Sequence, residues 1–499
     1  MKRMLLFLFA LACWIACAPL PISSAAPRTV TATGEYTMGE AETLSVARER
    51  ALEDAKRNAA EQVGIYVTSA STVVQSELTQ DTVTTMAAAF LRLVGAPHYT
   101  TIAHEDTLAI TVRVTITAQA DDGDVEKIKD FAADPARVAT FDQLTNSYQR
   151  LQREAALLQK RMKVARTPEE KKEIQQAIHK NEAAWQSYLL LQQAYAQPDT
   201  DTKLLDKAIA LYPENVPAYA ARAGKSLGTD KLAASLQDAD AGLAALQANT
   251  SDYTEEQQHM LAFILQTIRG SVHFLTEDYD AALADFQTAE KETATLKLAR
   301  VSPGMYAHFL FDYGGVLMLK SDDAAAETQF TRLITHIEAE EAAAAQKPAP
   351  QGPKNPADKP RSLADERNLM LANAHIYRAV VRRNQKKEAK SDLAAARAVA
   401  QKLPKDDRKA VEDAIAALPS LESGSESKAE SKPQAEPGIA ASQPPRTEPN
   451  HETNTASNTK PTTNPSNVSN DKASTNADTA TSAKETPAPQ TTASPKLFE

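Results

Sequence analysis

Cysteine is almost missing from this chain of 499 residues: the only two, Cys13 and Cys17, both fall in an N-terminal apolar run. A chain that loses that run keeps no thiol for disulfides, metal binding or nucleophilic catalysis. Glycine is scarce at 15 residues and aromatics make up 5%, while alanine is abundant. This composition argues against a β-sandwich, a barrel or a glycine-looped nucleotide fold as the main body, and it favours helix. Positive charge is in deficit too, since the formal charge is −10 and becomes −12 once Lys2 and Arg3 are removed. A phosphate backbone or an anionic membrane is therefore a poor partner, and nucleic acid is not expected to bind. After the N-terminal run no segment reaches the ~20 consecutive apolar residues of a membrane-spanning helix.

Catalytic and metal signatures are lacking as well. The nine histidines stand far apart, and no two share the helical or hairpin spacing of a metal pair. There is no glycine-rich phosphate loop and no H-E-x-x-H. No catalytic residue, metal or cofactor is expected, and the Glu-Glu and Asp-Asp pairs read as solvated helix faces.

What is present begins with a leader. Lys2 and Arg3 precede the uncharged run Met4 to Ala18, and Ser23-Ser24-Ala25 offers small residues for a cut before Ala26. Residues 1–25 are thus expected to be a signal peptide and the mature chain to be exported, to the periplasm or cell envelope. The alternatives are an uncleaved anchor and a lipoprotein tethered through Cys13 or Cys17, around which the residues fit a lipidation box only loosely.

Residues 26–130 read as a small α+β domain. Val30 to Tyr36 has the character of a strand, and Glu40 to Val63 that of a helix. Along that helix Ala47, Ala51, Ala55, Ala59 and Val63 recur every four residues, a ridge of small side chains that lets a helix lie close on a sheet. A strand is expected at Tyr99 to Ala103, and Leu108, Ile110, Val112, Val114 and Ile116 alternate as one buried strand face. The pattern Ala47-x3-Ala51-x2-Asp54-Ala55-x-Arg57-x-Ala59, then Gly64 leading into Tyr66-Val67-Thr68-Ser69, resembles the N-terminal domain of flagellar assembly protein T and related small envelope lipoproteins. The resemblance covers about one fifth of the chain and implies an exported envelope domain without known catalysis.

From Phe141 the residues Leu144, Tyr148, Leu151, Ala155, Leu158 and Met162 step by three and four, a heptad seam. Thr167-Pro168-Glu169-Glu170 then provides an N-cap, a proline at the first helical position and a carboxylate three residues on. Ile174, Ile178, Trp185 and Tyr188 stripe the second helix. Residues 137–196 therefore read as an antiparallel helical hairpin, with a dimerising coiled coil as the alternative and self-association through it or the N-terminal domain as its consequence.

The rest of the ordered chain repeats itself. Gly270 is followed by His273, Tyr279, Ala282, Phe286 and Ala289 at +3, +9, +12, +16 and +19, and Gly314 by Leu317, Asp323, Ala326, Phe330 and Leu333. Ala223 and Tyr377 start weaker copies, and an aspartate stands at +15 in Asp238, Asp285 and Asp392. Small residues at 0 and +12 let two antiparallel helices touch, while a large one at +16 fills the space between pairs. These offsets, with a degenerate earlier unit at Trp185, Leu189, Leu205, Ala208 and Pro213, resemble a tetratricopeptide-repeat array over about 182–400, with a polar helix at Lys405 to Leu418 closing it at 418. The anchors lie 47, 44 and 63 residues apart, against the family's ~34, so long helices and inserted loops are expected. One such excursion is 341–362, rich in proline and lysine.

The fold expected is mainly α: an α-helical repeat solenoid preceded by a small α+β domain and a hairpin. From 419 to 499 the composition turns to Ser, Thr, Asn, Pro, Ala, Glu and Lys, and a disordered tail is expected. The family resemblance implies that the first helix of each pair lines a groove, with positions −3, +1 and +4 facing inward. These are Thr267, Ser271 and Phe274 in one unit and Phe311, Gly315 and Met318 in the next, an apolar strip suited to a peptide or an amphipathic helix. Function is read as non-enzymatic protein–protein adaptation in the envelope. The alternative is a structural envelope or appendage-assembly component that oligomerises through its N-terminal domain.

Overall fold

In the computed structural model α-helix dominates and one small sheet lies near the N-terminus. It describes residues 28–70, 80–105, 109–120, 135–196, 202–229, 231–296, 301–345 and 363–418. The leader at 1–25 with Cys13 and Cys17, most of the excursion at 346–362 and the tail at 419–499 lie outside the described residues. No helix among the described residues is long and apolar enough to cross a membrane.

Strand β1 (Arg28–Met38) pairs antiparallel along its whole length with β4 (Ile110–Ala120). The other edge of β4 pairs with the two-residue β2 (Arg92–Leu93) and then with β3 (His98–Ala103). Helix α1 (Leu44–Ala70) lies on this sheet, and α2 (Gln80–Phe90) packs beside it. Ala47, Ala51, Ala55 and Ala59 are wholly buried against Ala32, Val112, Val114, Ile116 and Ala118, so the alanine ridge is the contact surface. The approach is so close that a Cβ at Gly34 would collide with the Ala55 amide and the Ala51 carbonyl. The helix continues to Ala70, past the boundary read at Val63, because a single glycine such as Gly64 costs a helix only ~1 kcal/mol and does not by itself end it.

Helices α3 (Pro135–Val164) and α4 (Pro168–Ala196) follow, joined by three residues. All seven seam residues from Phe141 to Met162 are buried, as are Ile174, Ile178, Trp185 and Tyr188. At the turn the Glu170 amide donates to Thr167 Oγ1 at 3.1 Å and Glu170 Oε2 accepts the Thr167 amide at 3.2 Å, a reciprocal cap. The α+β unit docks on this hairpin through Val46 and Met86, buried with Phe141, Leu144 and Trp185, and through polar groups. Glu182 on α4 accepts the Thr43 amide at 2.7 Å, just before α1, where a carboxylate meets the positive end of the helix.

The remaining helices run as α5 (Lys203–Leu211), α6 (Val216–Leu227), α7 (Leu232–Ala248), α8 (Glu255–Leu275) and α9 (Tyr279–Thr293). After them come α10 (Pro303–Leu319), α11 (Asp323–Ala345), α12 (Leu363–Asn384), α13 (Lys390–Ala400) and α14 (Lys405–Ala417). They pack as consecutive pairs, α6 with α7, α8 with α9, α10 with α11 and α12 with α13, and each first helix also touches the first and second helices of the pair before it. Helix α11 keeps its form to Ala345, past the boundary read at 341, since Glu and Ala are strong helix formers. Helix α14 covers the last pair with Val411 and Ile415 buried and its charged residues outward.

All four pairs close in one way. The amides of Lys231, Asp278, Asp322 and Lys387 donate to the carbonyls of Ser226, His273, Leu317 and Arg382 five residues back, at 2.8 to 3.0 Å. In the last three pairs the residue before that amide, Glu277, Ser321 or Lys386, is left-handed with φ of 58 to 64°, the geometry of a Schellman stop. Counting back eight residues from each closing amide reaches Ala223, Gly270, Gly314 and Ala379. The first-helix anchor of the last pair is therefore Ala379 instead of Tyr377. Its second helix starts at Lys390, three residues past the closing amide and not one as in the other pairs, yet Asp392 stands five residues past that amide where Asp238 and Asp285 stand seven past theirs, so offsets counted back from Ala389 and Leu393 overshoot by two.

Candidate functional site

The residues expected to line a groove are not left as one open strip. Thr267 and Ser271 are buried where α8 meets α10, at 1% and 5% exposure. Phe311 is also buried at 5%, its ring 5.6 Å from that of Tyr377 on α12 and 6.5 Å from Phe330. Only Phe274 and Met318 keep a half-buried position. The cause is close approach of successive first helices: Gly315 presents no side chain, so the Phe274 ring settles on it, where a Cβ would stand 3.2 Å from Cζ. Beside it Ser271 Oγ donates to Asp312 Oδ2 at 2.6 Å. What stays accessible on this face is Phe274, Leu275, exposed His308, half-buried Asp312, Met318 and Leu319.

Recurring ion pairs hold the helices of a pair together. Arg222 grips Asp238 through Nε at 2.9 Å and Nη2 at 2.6 Å, and Arg269 grips Asp285 at 3.0 and 2.5 Å. Arg378 does the same to Asp392 at 2.9 and 2.5 Å, across fourteen residues instead of sixteen. The aspartates were visible in the sequence, but the arginines next to the anchors were not singled out. In the third pair Tyr313 and Gln329 take these places, and Arg332 turns instead to Glu290 at 2.5 Å and to the Tyr306 hydroxyl at 2.8 Å. Burial alone would raise the Asp392 carboxyl, but His375, Arg378 and Arg382 outweigh it and hold it at about 2.

A second feature lies where four helices converge. Arg50, Glu53, Asp54 and Arg57 occupy one stripe of α1, beside the alanine ridge, and face a small cleft. Trp185 on α4 and Tyr148 on α3 form its aromatic wall, their ring centroids 4.9 Å apart. The Tyr148 hydroxyl donates to Gln192 Oε1 at 2.6 Å, and burial pushes its phenol well up.

Arg50 is central to this region. Its guanidinium lies over the rings of Tyr36 and Trp185, at 5.1 and 5.2 Å. It bonds Glu42 at 2.8 Å, Asn181 at 2.7 Å and the Tyr36 hydroxyl. Burial first, and the Glu42 carboxylate with it, push the Tyr36 phenol up to about 12. Arg50 Nε and Trp185 Nε1 are buried without a hydrogen-bond partner. The acids are engaged, Glu53 with Lys56 at 2.5 Å and Asp54 with the Glu35 amide at 3.0 Å. Arg57 and Thr85 also have partners. The bond to Asn181 ties Arg50, and with it the α+β unit, to the hairpin. Sequence reasoning missed it: Arg50 fell on no periodic stripe that was read, and Trp185 was read only as apolar. Among the described residues no group of three or more His, Cys, Asp and Glu is gathered to hold a metal ion.

No protein-family model matches this chain, and no curated protein matches it either.

Proposed function

We propose that the chain is an exported, non-enzymatic scaffold for protein–protein interaction in the periplasm or cell envelope. Its helix pairs stack as a tetratricopeptide-like repeat solenoid, and the face of the first helices holds a peptide or helical segment of a partner. The observation that carries this reading is the recurrence of one closure, eight residues beyond a small anchor, in four successive pairs. Packing of each first helix on both helices of the preceding pair supports a stacked array, because that is how repeats lacking a core of their own bury an apolar face. The accessible strip now centres on Phe274 and Met318, with Leu275 41% exposed beside them. Export rests on the leader pattern at Lys2 to Ala25.

Assembly of an appendage through the N-terminal domain is the less supported reading. The middle of the outer edge of β1 is already occupied, since Asp54 accepts the Glu35 amide at 3.0 Å and Asn58 donates to the Thr33 carbonyl at 2.8 Å. Side chains that take the edge groups hinder strand-to-strand addition there.

The test is made in cells. A photoreactive residue at position 274 or 318 should give a discrete adduct with another protein, and osmotic shock should release a mature chain beginning at Ala26. Absence of an adduct at both positions would reject the surface. A cytoplasmic, uncut chain would reject export, and a diacylglycerol mass on Cys13 or Cys17 would make the protein membrane-tethered.

A further inference from the structure

Several acids of the helix array are paired with arginine or lysine. Asp238, Asp285 and Asp392 are each gripped by an arginine, Glu290 has Arg332, and Glu327 has Arg382 and Lys387. Asp312 differs. It sits half-buried on α10, its Oδ2 accepts the Ser271 hydroxyl at 2.6 Å, and among the described residues no lysine or arginine pairs with it. The ionisable neighbour is His308, one turn earlier and exposed. Burial pushes the Asp312 carboxyl up, with His308 and Ser271 opposing. One turn before Ser271 on α8, the hydroxyl of Thr267 is buried with no hydrogen-bond partner, so this seam holds unused polar capacity. Around it the surface is apolar: the Phe274 ring on Gly315, then Met318.

A half-buried carboxylate that no lysine or arginine pairs is costly, and such a cation brought to it from outside offsets the cost and forms a charge-assisted hydrogen bond. We propose that Asp312 is the cation anchor of the first-helix face, which takes a partner segment that sets one lysine or arginine against Asp312 and apolar side chains on Phe274 and Met318. This rests on the scaffold reading above and names the chemistry of its partner. Charge complementarity favours it at long range as well, because a chain of net charge −10 draws basic segments. A purely apolar segment would leave the carboxylate desolvated and unpaired, and an acidic one would repel it.

The test uses the full chain and a displayed library of random dodecapeptides. Enriched peptides should place a lysine or arginine among apolar residues. Replacing that cation by methionine in the peptide, with the protein unaltered, should weaken binding by about tenfold or more, and Asp312→Asn should do the same. Asp312→Glu should retain most of the binding, which a merely structural role for the carboxylate would not require. Enriched peptides that lack a cation, or that bind equally after the methionine exchange, would overturn the anchor and leave the scaffold reading intact. A library that yields no binder at all would overturn both.

Discussion

The ring of Phe286 lies over Gly270 so closely that a Cβ on that glycine would stand 2.8 Å from Cε1, and Phe330 lies over Gly314 at the same distance. Both rings are wholly buried, and each belongs to the second helix of a pair whose first helix supplies the glycine. The glycine is there for proximity, not for backbone freedom, since both sit within helices. Gly270→Ala and Gly314→Ala should each cost about 1 to 3 kcal/mol by overpacking, despite the better helix propensity of alanine. Urea unfolding of the two variants checks this, and a gain in stability would mean that the rings yield.

Truncation at the rings should separate core from surface. Phe286→Ala, Phe330→Ala and Phe311→Ala should each lose roughly 3 to 5 kcal/mol, because each opens a cavity in the continuous core of α8 to α14. Phe274→Ala should lose clearly less, as its ring is only half-buried. Thermal melts of the four variants decide, and a Phe274→Ala loss equal to the others would return that ring to the core.

Removal of the Arg50 side chain should loosen the α+β unit from the hairpin. Arg50→Ala leaves the buried Glu42 carboxylate without its 2.8 Å partner and Trp185 without its guanidinium, a loss of about 3 to 5 kcal/mol. Hydrogen exchange should rise in α1 and α4 together. Exchange confined to α1 would show that Arg50 does not couple the two units.

Acid should weaken the last helix pair at a defined range of pH. The Asp392 carboxyl is held at about 2 in the folded chain, against about 3.9 when unfolded. Its contribution is fully present above about pH 4 and is lost as pH falls through 2, on the order of 2 kcal/mol in all. Asp392→Asn should therefore be less stable at neutral pH and show a shallower fall in urea midpoint between pH 4 and 2. Parallel slopes for the variant and the wild type would remove Asp392 from the account.

The local elements were legible in the sequence because each is written within one helix or strand. The alanine ridge of α1, the seam from Phe141 to Met162, the cap at Thr167 and Glu170, and the glycine and phenylalanine offsets of two pairs all depend on periodicities of 3.6 or 2, or on end chemistry. Tertiary structure decided where those elements face. Sequence spacing assigned the last anchor to Tyr377, but the chain closes eight residues past Ala379, since a two-residue shift in the register of the second helix moves every offset counted across the connection. Phe311 looked like a groove residue until α12 came to lie over it, and Arg50 had no sequence mark that it would meet Tyr36, Glu42, Trp185 and Asn181 from three other segments. Periodicity records which side of a helix is apolar. Which neighbour covers that side is a matter of connection lengths and of contacts between residues far apart in the chain, and only the folded structure carries them.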